Sequence, residues 1–140
     1  MRPAAATVPE SYDLSWHESL RLLTGAHVGR IVYSDHALPA VQPVNFVVDD
    51  EAVIFRAAEG SRLARAVENA VVAFEADEYD PDAGTGWSVA VVGKCEAVSE
   101  PREVSRLSGL VPLHWAPVGE GRFVRICIAE LSGRRIGPHE

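Results

Sequence analysis

Alternating apolar and polar positions dominate this chain and predict β-strands over most of its length. Six runs have this pattern or a short continuous apolar core, at residues 27–35, 40–48, 52–57, 70–77, 87–98 and 122–131. Short turns rich in Asp, Gly and Pro separate most of them, which favours antiparallel pairing because a hairpin needs few connecting residues. In the long fifth run Val89, Val91 and Cys95 share one face, and Gly93 predicts a bulge or a bend.

Three short helices are predicted, one before the first strand and two between later strands. Ser15 and Glu18 have the spacing of a capping box, and the helix that they begin ends at Gly25. Ser61 is the predicted N-cap of a second helix, and Pro101 begins a third. Strands do not alternate with long helices, so we expect a mainly β fold, a six-stranded antiparallel split β-barrel with small flanking helices.

Length and charge narrow the classes of protein to consider. The 140 residues fit one domain, for which we expect residues 13–137, preceded by an Ala- and Pro-rich flexible arm over residues 1–12. The net charge of −7 argues against nucleic-acid or anionic membrane surfaces as partners, because both attract dense Lys and Arg. No signal-peptide pattern or membrane-spanning apolar run is seen, so we expect a cytoplasmic protein.

Few side chains in the sequence are candidates for a metal site or a catalytic nucleophile. Cys95 and Cys127 lie in apolar strand patterns, which predicts buried free thiols. The five histidines show no metal-ligand spacing, so no metal site is predicted. The sequence has no nucleophile elbow, HExxH motif or P-loop. The sequence therefore offers no conspicuous catalytic side chain.

Three arginines, at positions 56, 62 and 65, surround the predicted start of the second helix. Backbone amides at a helix start, together with guanidinium groups, form a site suited to phosphate. A cation in the first helical turn opposes the helix dipole, so a bound anion is the better explanation for Arg62. Arg56 has an alternative, an ion pair with a cross-strand carboxylate such as Glu75, and Arg65 is typical of an exposed surface position.

The order and spacing of several segments resemble the pyridoxamine 5′-phosphate oxidase-like family of flavin-binding split barrels. The segments are VGRIVY, PAVQPVNFVVDDEAVIFRAAEGSRLARAVEN, VVAFEADEYD, GWSVAVVGKCEAV and SGRRI, and the resemblance covers about residues 14–136. Their combination is more specific than any single motif. The chain is most similar in character to the short actinobacterial-type members of the family.

The resemblance implies a homodimer with two FMN sites at the subunit interface. The implied cofactor-binding residues are Gln42, Pro43, Val44 and Asn45 beside the ring system, Phe55 and Arg56 near the ring and ribityl chain, Ser61 and Arg62 at the phosphate, and Trp87 and Ser88 from the partner subunit. Trp87 has a second interpretation as packing, and His114 and Trp115 are candidates to cover the substrate side. On physical grounds, uncovered sheet faces also favour a dimer, in which the strand carrying Val91 lies at the two-fold interface.

One departure from the family pattern keeps several functions open. Leu63 stands where the oxidase has a lysine after its Ser-Arg pair, which removes one phosphate-binding cation. We expect an FMN-dependent oxidoreductase that acts on a small organic molecule. The alternatives are an F420-dependent reductase on the same fold, a non-catalytic flavin or haem binder, and a dimeric interaction module that has lost its cofactor.

Overall fold

A computed structural model describes residues 11–112 and 121–137 of the chain. The strands are β1 (Ser11–Leu14), β2 (Val28–Asp35), β3 (Leu38–Asn45), β4 (Val47–Asp49), β5 (Ala52–Ala58), β6 (Val71–Asp80), β7 (Thr85–Ala97) and β8 (Gly121–Ile136). The helices are α1 (Trp16–Thr24), α2 (Arg62–Val67) and α3 (Pro101–Ser108). None of the helices in this described part is long and apolar enough to cross a membrane.

The strands form one antiparallel sheet that curls into the predicted split barrel. Their order is β3-β2-β6-β7-β8-β5-β4, and β1 pairs with β8 outside this order. The first and last strands of the order, β3 and β4, are consecutive in the chain and separated by Phe46 alone. The Phe46 amide donates to the His27 carbonyl oxygen at 3.1 Å, and its ring packs edge-on against Phe74 at 4.8 Å. A single buried residue therefore ties the two ends of the sheet together.

The structure has eight strands where the sequence predicts six. The predicted strand over residues 40–48 is divided at Phe46, because the chain passes there from one end of the sheet to the other. The second additional strand is β1, in which Ser11 pairs with Ile136 and Tyr12 with Arg135. The predicted flexible arm over residues 1–12 is thus wrong for its last two residues, and residues 1–10 lie outside the described part.

All three predicted helix starts are confirmed. The Ser15 hydroxyl accepts a hydrogen bond from the Glu18 amide at 3.1 Å, and the Glu18 carboxylate accepts one from the Ser15 amide, which completes the capping box. The Ser61 hydroxyl accepts from the Ala64 amide at 3.1 Å. Pro101 is the first residue of α3. These caps satisfy backbone donors that the first helical turn leaves without partners.

The inner side of β7 faces the barrel core. Val89, Val91 and Cys95 are fully buried there, as the alternation predicts. The register of β7 against β8 shifts between Val92 and Gly93, which confirms the bulge, and a Cβ at Gly93 would lie 2.0 Å from the Cys127 carbonyl oxygen. The Val91 side chain belongs to the core of one chain, so it does not itself contact a neighbouring subunit, and the place of this strand at a two-fold interface stays a prediction.

The two cysteines lie on opposite sides of the sheet. Cys95 is a buried free thiol, as predicted, and burial raises its pKa to about 12. Cys127 is exposed, so its predicted burial is wrong. Strand β8 turns this residue to the outside of the barrel, where its thiol lies 3.1 Å from the Glu96 carboxylate.

One outer side of the barrel is covered by α3, and we call it the covered face. It consists of a small apolar cluster of Ala52, Ile54, Val98, Leu107 and Phe123. Arg106 makes two hydrogen bonds to Asp49, at 3.0 and 2.7 Å, and Glu103 accepts from Arg125 at 2.8 Å. Helix α3 is therefore held on strands β4, β5 and β8 by apolar contact at the centre and by ion pairs at the edge.

The other outer side has no helix on it among the described residues, and we call it the open face. Across four neighbouring strands the register aligns Val41, Val32, Ala73 and Val92 in one row. The next row aligns Pro43, Arg30, Glu75, Ala90 and Ser132. Val28, Val41 and Val71 on this face are 52%, 63% and 69% exposed, which is a large exposure for side chains of this size.

Candidate functional site

The predicted phosphate site is built at the start of α2. Ser61 is extended and caps the helix, while Leu63 is 3% exposed and packs into the core. The helix therefore turns position 63 inward, and this explains structurally why an apolar residue is acceptable there. Arg62 lies outside, and its side chain is 63% exposed. Of the first two helical residues, only Arg62 offers a cation to a ligand in solution.

Arg62 already has a carboxylate partner. Its Nε donates to the Asp35 carboxylate at the end of β2, and His36 Nδ1 lies 2.9 Å from the other Asp35 oxygen. The hydrogen bond from Arg62 is the main cause of the lowered pKa of Asp35. The described residues offer no acceptor to the terminal nitrogens of Arg62, so these donors remain available to an anion.

The other two arginines of this region have different partners. Arg65 donates to the Gly60 carbonyl oxygen. Arg56 donates to the Gly121 carbonyl oxygen at 3.0 Å, and its guanidinium carbon lies 5.0 Å from the centre of the Phe123 ring. The Arg56 Nε is buried without a hydrogen-bond partner among the described residues. The three arginines therefore bind three separate acceptors rather than one shared ligand position.

The alternative prediction for Arg56, an ion pair with Glu75, is wrong because β5 and β6 are not neighbours in the sheet. Glu75 pairs instead with Arg30, at 2.9 Å, and Arg30 also reaches Asp77 at 3.4 Å. Partial burial, followed by the neighbouring Asp77, raises the pKa of Glu75 to about 7. A carboxyl that titrates near neutrality thus lies on the open face.

Strand β3 presents the predicted residues 42–45 on two different sides. Gln42 pairs with Ile31 and Val44 with Gly29, whereas Pro43 pairs with Arg30 on the open face and Asn45 with Val28. Because β3 is an end strand of the sheet, Pro43 is tolerated there without the loss of a central ladder hydrogen bond. A planar ligand along one side of this strand can contact Gln42 or Asn45 through the side chain, but not both.

The remaining predicted residues differ in accessibility. Phe55 is fully buried in the barrel core, so its side chain is not presented to a ligand. Trp87 is 8% exposed and lines a cleft with Tyr79 and Arg135 at one side of β7. Ser88 is half-buried and lines a second cleft, which also contains Ala90, Leu131 and Arg134. His114 and Trp115, the candidates to cover a substrate, lie outside the described residues.

Two features of this region were not predicted from the sequence. Asp35 was not recognised as the partner of Arg62, because the contact joins a strand end to a helix 27 residues later. The sequence could have predicted part of the group formed by Arg30, Glu75 and Asp77, because strand alternation puts both carboxylates on one side of β6. No group of histidine, cysteine or acidic residues suited to a metal ion occurs within residues 11–112 and 121–137.

Known proteins similar to this chain point to one family. The family model described as pyridoxamine 5′-phosphate oxidase matches residues 15–135. An uncharacterized protein of Mycobacterium tuberculosis is 38% identical over 141 aligned residues, which cover 96% of this chain and 91% of that protein. Family membership thus rests on nearly the whole length of the described barrel.

Two solved structures of related proteins support the same assignment. The FAD binding protein from Mycobacterium smegmatis is 35% identical, with a TM-score of 0.77, and the match covers 89% of this chain and 97% of that chain. A FAD-binding protein from Mesorhizobium loti is 26% identical, with a TM-score of 0.72, and the match covers 89% of this chain and 97% of that chain. The chain belongs to the pyridoxamine 5′-phosphate oxidase-like family, as its sequence pattern predicts.

Proposed function

We propose that this chain is a homodimeric flavin-binding oxidoreductase that acts on a small organic molecule. The observation that carries the proposal is its similarity, over most of both chains, to the mycobacterial and rhizobial FAD-binding proteins. The start of α2 supplies groups that fit a phosphorylated ligand, namely the exposed guanidinium of Arg62 and the capping turn at Ser61. The groups at the start of α2 and the family membership therefore point to the same class of cofactor.

Among the flavins, FAD fits the start of α2 better than FMN. The terminal phosphate of FMN is close to a dianion at neutral pH, whereas each phosphate of FAD carries a single charge. Arg62 is partly neutralised by Asp35, and Leu63 is buried, so this site offers less positive charge than a terminal phosphate requires. The same shortage argues against F420, whose tail is more acidic than that of FMN.

The protein's contribution to the chemistry is binding and orientation. A bound flavin supplies hydride and electron transfer, so no catalytic side chain of the protein is required for that step. Arg62 holds a phosphate through its terminal nitrogens, and the capped turn at Ser61 fixes the position of that guanidinium. Trp87 and Ser88 belong to one strand but open onto two different clefts, and either cleft could receive the flavin ring.

The open face is the surface that we assign to the subunit interface. It carries a row of apolar side chains, with Val41 and Val71 mostly exposed. An uncovered apolar sheet face of this kind is typical of a surface that binds another protein. A second copy of the chain covers it in a two-fold arrangement, in which the same face of each subunit meets its equivalent. In this assignment β2, β3 and β6, rather than the core residue Val91, provide the contacts.

The direct test is parallel titration of the purified protein with FAD, FMN and F420, read by fluorescence and by the absorption spectrum. We expect saturable FAD binding that is tighter than FMN binding, and weak binding of F420. Arg62→Gln removes a charge-assisted hydrogen bond and should weaken flavin binding by about tenfold or more. Arg102→Gln, which removes an exposed arginine at the start of α3, is the matched control.

The Asp35→Asn substitution tests whether Arg62 binds the ligand or only supports the fold. The substitution releases Arg62 from its carboxylate partner, so flavin affinity should stay the same or increase. If Asp35→Asn and Arg62→Gln weaken binding equally, the pair supports the fold and Arg62 does not hold the phosphate. If none of the three cofactors binds, the flavin proposal is wrong.

A further inference from the structure

The end of the barrel beside α2, which we call the barrel mouth, contains a second candidate site. The cavity there has a volume of about 140 Å³, and its floor is formed by Ala64, Val67, Ala97 and Val124. Val67 and Val124 are core residues, 1% and 4% exposed, so the cavity continues the apolar interior of the barrel. The mouths of β-barrels are common places for small-molecule sites.

This cavity is separate from the predicted phosphate site. Residues of an α-helix are spaced about 100° apart around the axis, so Arg62 and Ala66 share one flank of α2, while Ala64 and Glu68 share another. Arg62 contacts Asp35 of β2, whereas Ala64 and Glu68 line the cavity. The helix itself therefore lies between the two positions.

Charged side chains surround the cavity at the loop that precedes α2. Glu59, Arg65 and Arg122 meet there, and Arg122 lies 3.8 Å from Glu59, beyond hydrogen-bond distance. Arg65 donates to the neutral carbonyl oxygen of Gly60. Glu68, at the other end of α2, also lines the cavity, so the two guanidinium groups are matched in number by two carboxylates. Neither carboxylate lies within hydrogen-bond distance of a guanidinium group, so the donors of Arg65 and Arg122 that face the cavity have no carboxylate acceptor among the described residues.

The size of the cavity indicates the kind of ligand that fits it. An apolar cavity of roughly 150 Å³ in a protein core holds one benzene ring. The floor here is apolar and the cavity is similar in volume, while the two arginines at the loop end are suited to a carboxylate. A ligand with one ring and one carboxylate would satisfy both parts of the site.

We propose that the barrel mouth binds a small aromatic monocarboxylic acid, with its ring on Ala64, Val67, Ala97 and Val124 and its carboxylate between Arg65 and Arg122. This site is additional to the flavin site and does not depend on it. The ligand carboxylate supplies the hydrogen-bond acceptor that neither Glu59 nor Glu68 gives these two guanidinium groups, and ring burial removes the apolar floor from water.

Benzoate is the probe, with benzyl alcohol and benzylamine as neutral and cationic analogues. We expect saturable binding of one benzoate per chain by calorimetry, with backbone NMR shifts centred on Ala64, Val67 and Ala97. Because the carboxylate makes charge-assisted hydrogen bonds, benzoate should bind about tenfold or more tightly than benzyl alcohol. Absence of saturable benzoate binding, or equal affinity for benzylamine, would overturn the proposal.

Two pairs of variants locate the ligand. Ala64→Leu fills the cavity and should abolish benzoate binding, whereas Ala66→Leu changes the other flank of the same helix and should leave it intact. Arg122→Gln should weaken benzoate about tenfold without changing benzyl alcohol binding, and Arg102→Gln is its charge-matched control. Thermal unfolding of each variant checks that the fold is preserved. Equal losses in Ala64→Leu and Ala66→Leu would contradict the assigned position.

A final competition separates this site from the flavin site. Where FAD binds, the proposal requires benzoate to bind the same chain at the same time, so that neither ligand competes with the other. If saturating FAD displaces benzoate, the barrel mouth belongs to the flavin site and the inference fails, while the flavin proposal stands. If benzoate binds and no flavin does, the flavin proposal fails and the barrel-mouth site stands.

Discussion

The covered face and the open face are two outer sides of the same sheet, and they differ in whether their apolar side chains are buried within one chain. On the covered face, Leu107 of α3 completes an apolar cluster within the same chain, and Arg106 fixes the helix edge to Asp49. On the open face, Val41 and Val71 remain mostly exposed in a single chain. The covered face therefore stabilises the fold of one chain, whereas the open face is left for the assembly that we propose.

The largest effect is expected from breaking the covered face. Leu107 is fully buried, so Leu107→Ala should reduce the free energy of unfolding by about 2–5 kcal/mol, through lost apolar burial and a residual cavity. Urea unfolding followed by circular dichroism measures this loss. Leu110 is 49% exposed near the end of the same helix, and Leu110→Ala is the control, with an expected change below about 1 kcal/mol. Similar losses in both variants would mean that α3 is not anchored through Leu107.

On the open face the expected effect is on assembly rather than on the fold. Val41 is 63% exposed on an end strand, so Val41→Asp should change monomer stability by only about 0.5 kcal/mol. In the dimer that we propose, the same substitution buries two new charges and should shift the protein to monomers, as measured by light scattering. Leu38→Asp is the matched control, because Leu38 is similarly exposed on β3 but on the opposite side. Dimers that survive Val41→Asp would argue against this interface.

The sequence predicts the barrel well because the signals involved are local. The hydroxyl caps at Ser15 and Ser61 and the bulge at Gly93 depend on neighbouring residues or on strand period, and all three are present in the structure. The division of the second strand at Phe46 depends instead on which ends of the sheet meet. That information lies in contacts between distant parts of the chain, which a strand pattern does not contain.

The candidate site was less predictable for a related physical reason. Arg56, Arg62 and Arg65 are close in sequence, and proximity alone suggested a shared anion site. Their actual acceptors are Gly121, Asp35 and Gly60, of which two are distant in the chain. Long, flexible side chains reach partners on several elements, so the destination of a guanidinium depends on tertiary structure. Motif order could identify the family, but it could not assign these individual contacts.

The smallest expected effect concerns the pH dependence of the unfolding free energy, to which one carboxyl group on each face contributes with opposite sign. The hydrogen bond from Arg106 lowers the pKa of Asp49, so this covered-face contribution is present above the unfolded pKa of about 4 and is lost as pH falls through the lower folded value. Burial raises the pKa of Glu75 to about 7. The folded state therefore binds more protons than the unfolded state between about pH 4.5 and pH 7, and this open-face contribution weakens as pH rises.

These opposite slopes can be separated by two neutral substitutions. Glu75→Gln should flatten the decline in unfolding free energy between about pH 5 and pH 7, whereas Asp49→Asn should leave that range unchanged and reduce the acid sensitivity below about pH 4. At neutral pH the loss of the Asp49 pair should cost about 1 kcal/mol or less, as is usual for an ion pair near the surface. Urea unfolding across this pH range measures both effects, with Glu78→Gln and Asp50→Asn as exposed controls. If Glu75→Gln left the neutral slope unchanged, the carboxyl would be ionised as in the unfolded chain. The Glu75 carboxylate would then be charged on the open face, without the desolvation that its position in this apolar surface implies.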